Sequence, residues 1–125
     1  MAVTHVTALR NTLADAAVDA IDGGAGAGIL EFRTSGDVEV ATLTFSDPAF
    51  GAAGGGVATA SAITADSSAT GGTIAKAALR TSTPADQILC SVSATGGGGD
   101  IELNSVVVSA GQQVSVSAMT YTAPA

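Results

Sequence analysis

The sequence has no tryptophan, one tyrosine and three phenylalanines, so the side chains that bury the most area per residue are scarce. Its apolar share of 46 % is carried mostly by Ala and Val. A core built from them is thin: burying a Val, Leu or Ile side chain contributes about 1.5–3 kcal/mol, whereas ordering one residue costs about 1–2 kcal/mol. Contacts between subunits are therefore expected to supply part of the stability.

Bases are equally few. Arg10, Arg33, Lys76 and Arg80 stand against eleven acids, for a net charge of −7, and they are scattered along the chain. Nucleic acids and anionic membrane surfaces are bound through clustered Lys and Arg, so neither is expected as a partner, although an acidic face suits a basic protein patch. The single cysteine, Cys90, excludes an intrachain disulfide and a cysteine-based metal site. In the alternating run Ile88, Cys90, Val92 it reads as a buried structural thiol, with an intersubunit disulfide as the other reading. The only imidazole, His5, sits at the frayed start of the first predicted helix, and no G-x-S-x-G elbow occurs, so a hydrolytic triad is not expected. No stretch reaches the roughly 18 apolar residues of a membrane span. The N-terminal segment lacks the apolar h-region of a signal peptide, which predicts synthesis in the cytoplasm and use without export through a cleaved signal.

What is present fits one domain of 125 residues. A charged fraction of 12 % with a mean hydropathy of +0.45 is the opposite of a disordered composition. From Val6 the apolar residues Leu9, Leu13, Ala16, Ala17, Ala20 and Ile21 follow at spacings of three and four, predicting an amphipathic helix with Thr4 as its N-cap and Gly23-Gly24 as its stop. Asp15, Asp19 and Asp22 lie toward the C-terminal end, where the macrodipole disfavours them, and are expected to be solvated or to meet a cation. Gly23 to Gly28 reads as a hinge, dividing a helical arm at 1–24 from a β domain at 25–125.

Beyond it the period becomes two. Strands are predicted at Leu30–Arg33, Val38–Phe45, Val57–Ile63, Thr73–Arg80, Gln87–Ala94, Ile101–Leu103 or onward to Val108, and Val114–Thr122, about seven or eight in all. Within Val38–Phe45 the apolar phase switches between Val40 and Ala41, the mark of a bulge or of a strand covered on both faces. With no helices between strands, βαβ units are excluded and an antiparallel β-sandwich, jelly roll or small barrel is expected.

Asp100 and Glu102 fall on one face of a strand, joined in this reading by Asp37 or Glu39 across the sheet. That is acid/base material, but a solvated polar face is the simpler reading. Gly96 to Gly99 before Asp100 reads as a flexible turn, with weak Ca²⁺ binding at Asp100 as the alternative. Phe45 and Phe50 flank the Ala/Gly-rich loop as partner anchors or as a core plug, and Tyr121 shares that ambiguity. No catalytic, cofactor or metal residue is assigned, and no cofactor is expected.

The stretches ALRNTLADAAVDAID (8–22), DPAFGAAGGGVATASAITADSSATGGTIAKAALR (47–80) and GDIELNSVVVSAGQQVSVSAMTYTAP (99–124) resemble a family of small proteins encoded in the structural gene clusters of tailed bacteriophages. The resemblance implies a virion component on the capsid surface, a decoration or cement protein whose partners are the major capsid protein and other copies of itself, a trimer being favoured. The residues expected to meet a partner are Val6, Leu9, Leu13, Ile21, Phe45 and Phe50. Two other classes are weighed against it. One is a tail or fibre module gripping a host surface glycan through the 51–56 and 96–99 loops. The other is an enzyme, disfavoured for want of a base, a metal cluster or a cofactor loop.

Overall fold

The computed structural model describes residues 3–123. It is mainly β, with one helix at the start. Helix α1 spans Thr7–Asp19 and tightens into a 3₁₀ turn over Ala20–Asp22. Its N-cap is Val6 rather than Thr4, and no side chain caps it. Nine strands follow: β1 Ile29–Arg33, β2 Glu39–Thr44, β3 Val57–Thr59, β4 Gly72–Thr73, β5 Lys76–Arg80, β6 Asp86–Ala94, β7 Ile101–Leu103, β8 Val107–Val108 and β9 Thr120–Thr122. No helix among the described residues is long and apolar enough to cross a membrane.

Five strands form a curled sheet in the order β2-β1-β5-β6-β7, and two short ribbons, β3–β9 and β4–β8, complete the architecture. Registers align two apolar rows on the inner face. Leu43, Leu30, Leu79 and Ile88 make one row, and Ala41, Phe32, Ala77 and Cys90 the other. The register shifts after Phe32, so that Arg33 pairs with Glu39 and Val40 is left over as the extra residue. Both Val40 and Ala41 are fully buried, as the phase switch predicts.

Three expectations are corrected. First, β7 runs parallel to β6, Val92 opposite Ile101, on a connection of only residues 95–100. Such returns normally take a dozen or more residues, which is why spacing alone predicts antiparallel pairing throughout. Second, the Ser/Thr/Ala-rich segments hold less strand than their composition suggests. Val57–Ile63 shortens to β3 and Val114–Thr122 to β9, with single bridges such as Asp66 to Val114 between them, and Ile101–Val108 splits into β7 and β8 in different sheets.

Third, Gly23 to Gly28 is no hinge to a free arm. Ala14, Val18 and Ile21 of the helical segment are essentially fully buried and join Leu30, Phe32 and Leu43 in one core. A Cβ on Gly28 would run into Ile21 Cγ2 and stand 2.7 Å from the Arg80 carbonyl oxygen. Glycine is required there by the closeness of helix end and sheet. The expected divisions 1–24 and 25–125 thus share a single interior.

Candidate functional site

The helix docks with its polar side chains inward. At 100° per residue Asn11, Asp15, Val18 and Asp22 lie on one side. From there Asp22 Oδ1 accepts the Ala49 N–H at 2.9 Å, Asp15 Oδ1 accepts that of Ala53 at 2.8 Å, and Asn11 Oδ1 accepts that of Gly56 at 2.7 Å. Three side chains thus satisfy the backbone of the 47–56 loop, a segment with few strand partners of its own. Arg10 adds a bond from Nη2 to the Ala123 carbonyl at 3.2 Å. The helix packs on β3 and β9 through this face.

Its other face is left to solvent. Val6 is 72 % exposed, Leu9 43 % and Leu13 37 %. Ala16 is exposed as well, and Ala17 and Ala20 are half-exposed. Of the six residues expected to meet a partner, these three on the helix remain on the surface. Ile21, Phe45 and Phe50 do not: all three lie in the core, and the two rings pack on each other at a centroid distance of 5.7 Å and a tilt of 43°. A ring buried against another ring has no face to offer, so those three are corrected from partner contacts to core. The helical triad Asn11, Asp15 and Asp22 escaped sequence reasoning. Its signal was present as a polar row at the same angular position as Val18, but charge on a helix reads as solvated by default.

The carboxylates do not gather. β2 and β7 are opposite edges of the five-stranded sheet, so Asp37 and Glu39 do not reach Asp100 and Glu102. Asp37 pairs with Lys76 at 3.2 Å, and Glu39 accepts the hydroxyls of Thr42 and Thr70. Asp100 accepts the N–H and hydroxyl of Ser91, which hold its carboxyl below the ordinary range. Glu102 accepts N–H groups from Gly96 at 3.0 Å and Gly98 at 3.3 Å, so the glycine loop wraps a carboxylate of its own chain. Gly96 and Gly98 have φ near +88° and +80°, and Cβ atoms on Gly97 and Gly99 would press into Ser93 at 2.7 and 2.8 Å. Each of the four positions calls for glycine, two for conformation and two for space. Among the described residues no group of three His, Cys, Asp or Glu is placed to hold a metal.

Between β6–β7 and residues 115–122 lies an open groove of ≈ 650 Å³, floored by Ile88, Cys90, Ile101, Leu103, Met119 and Tyr121. Cys90 is half-buried there, and burial, with the Asp100 charge adding, pushes its thiol up, so that it stays protonated at neutral pH. On the sheet's outer face Arg33 grips Asp86 through both terminal nitrogens and Glu31 through Nε. Arg80 reaches Glu31 at 2.9 Å and stands 2.6 Å from Asp86. Arg33 and Arg80 are thereby matched to acids of the same sheet, and Lys76 to Asp37 in the turn before β2.

Compared with known proteins, the chain matches no family model, no curated protein and no solved structure.

Proposed function

We propose that this chain is a non-enzymatic structural protein of a phage virion that decorates the capsid surface as an oligomer, with the major capsid protein and further copies of itself as partners. The observation that supports it most is the helix, which turns Asn11, Asp15 and Asp22 inward and holds Val6, Leu9 and Leu13 outward. Exposed apolar surface on a rigid element marks an interaction site. The resemblance of residues 8–22, 47–80 and 99–124 to phage structural proteins supplies the setting. On this proposal the curled sheet, faced by α1 and the β3–β9 ribbon, is an open form of the jelly-roll-like sandwich.

The tail-fibre reading is the weaker one, because its two loops are engaged within the chain: residues 51–56 give N–H groups to Asn11 and Asp15, and residues 96–99 wrap Glu102. Mixing the protein with purified empty heads, followed by mass-resolved light scattering, tests the proposal. Stoichiometric uptake is expected. Absence of the protein from mature heads by mass spectrometry, or its localisation to tails by immunogold labelling, overturns it.

A further inference from the structure

We infer that two copies of this chain pair antiparallel through the outer face of α1, an inference that rests on the assembly reading above and identifies one partner as a second copy. Val6, Leu9, Leu13, Ala16 and Ala20 recur at spacings of three, four, three and four, the repeat that keeps one seam facing another helix. None of the five is fully buried in the chain. The charged residues nearest the seam, Arg10 and Asp19, fall to either side of it at 100° per residue, so the seam itself is uncharged.

Charge distribution lets a second copy approach at this face. Each molecule carries −7, and close approach of two such surfaces is repulsive. Of the three acids on the helical segment, Asp15 and Asp22 are turned inward onto the 47–56 loop and Asp19 falls beside the seam, so two copies can meet through the outer face with no carboxylate in the seam itself. Asp19 is exposed at the C-terminal end of α1, where its own helix dipole disfavours it, and the first turn has neither a capping side chain nor an acidic residue. Antiparallel pairing brings Asp19 of each copy toward the first turn of the other.

Side-chain size selects the same orientation. The seam is bulky at its start and small at its end. Parallel helices, or three about a common axis, would stack Leu on Leu at one end and Ala on Ala at the other, and would splay. Antiparallel, Leu9 faces Ala20 and Leu13 faces Ala16 of the second copy, so every layer has one large and one small side chain. The arrangement closes on a two-fold axis, and at this face the trimer favoured from the sequence gives way to a pair. A helix of 13 residues is about 20 Å long and presents less than the ~800 Å² per partner of a standard interface, so the pair is weak and depends on concentration.

A dilution series of the full chain by sedimentation tests this. The mass is expected to rise with concentration from 11.9 kDa toward twice that value. The double variant Leu9→Asp/Leu13→Asp is expected to keep its circular dichroism spectrum and to lose pairing at least tenfold. Orientation is read in a Cys90→Ser background under mild oxidation: Ala16→Cys, near the two-fold axis, crosslinks, and Val6→Cys, at the far end, does not. A mass fixed at 11.9 kDa, a limit of three times that mass, or crosslinking through Val6→Cys in preference to Ala16→Cys overturns the pairing. Wild-type protein that pairs yet ignores empty heads upholds the pairing and removes the capsid reading. Protein that binds heads but never pairs removes the pairing and upholds the capsid reading.

Discussion

Ala78 is fully buried although it points away from the core, because Arg33 and Arg80 from the flanking positions close over it to reach Glu31 and Asp86. The small side chain is what lets the two guanidinium groups span a strand. Hydrogen bonds from Arg33 hold the Asp86 carboxyl below its usual range, and the same contacts raise Arg33. A depressed acid stabilises the fold above its unfolded value, near 3.9, and that contribution disappears as pH falls through the folded value. Asp86→Asn is therefore expected to cost about 1 kcal/mol or less at neutral pH, since the carboxylate is 37 % exposed. The urea midpoints of variant and wild type should converge in acid, once pH has fallen through the folded value of Asp86; a gap that persists there contradicts the ion-pair origin. Single residues were legible where alternation ruled, as for Leu30 and Phe32. They were not legible at Phe45 and Phe50, where a ring at a loop base and a ring at an interface have the same sequence.

At the scale of elements the docking of α1 depends on bonds from side chains to a loop. Asp15→Ala leaves the Ala53 N–H without its acceptor, and is expected to destabilise by about 1–3 kcal/mol and to speed amide exchange at Ala53. Asp19→Ala, on an exposed residue, should do neither in dilute solution; equal losses for both would remove the docking argument. Gly97→Ala should unseat the 95–100 connection, because its Cβ meets Ser93 at 2.7 Å, and should weaken the Thr95 N–H bond to the Leu103 carbonyl, seen as faster exchange at Thr95. Sequence spacing located α1, β1, β2, β5 and β6 within a few residues and foresaw the irregularity at Val40. It failed on the helical arm, read as divided from the β domain by a hinge although Ala14, Val18 and Ile21 pack into the common core, and on the direction of β7, since a return of six residues contradicts the usual connection length.

For the molecule as a whole, the bases are engaged at home: Arg33, Lys76 and Arg80 with acids, and Arg10 with a backbone carbonyl. What faces solvent is therefore acidic, with an isoelectric point of ≈ 4.1. Pairing through an uncharged seam should strengthen as salt screens the mutual repulsion, the Debye length falling from roughly 30 Å at 0.01 M to about 8 Å at 0.15 M. Sedimentation at the two ionic strengths should show the higher mass at the higher salt. The reverse trend would mean that copies are held by opposite charges instead.

The bond from Arg10 to the carbonyl of Ala123 joins positions 113 residues apart, and α1 rests on β9, the last strand described. During synthesis at about 5–20 residues per second, the β9 part of the surface on which the helix rests follows it by roughly 6–20 s. For that interval the helix is held only by the 47–56 loop, β3 and the core it shares with Leu30, Phe32 and Leu43, and Arg10 lacks its Ala123 acceptor. Order of emergence thus completes the docking of α1 late, while nascent chains crowded on one message already present their Leu9 and Leu13 rows to one another.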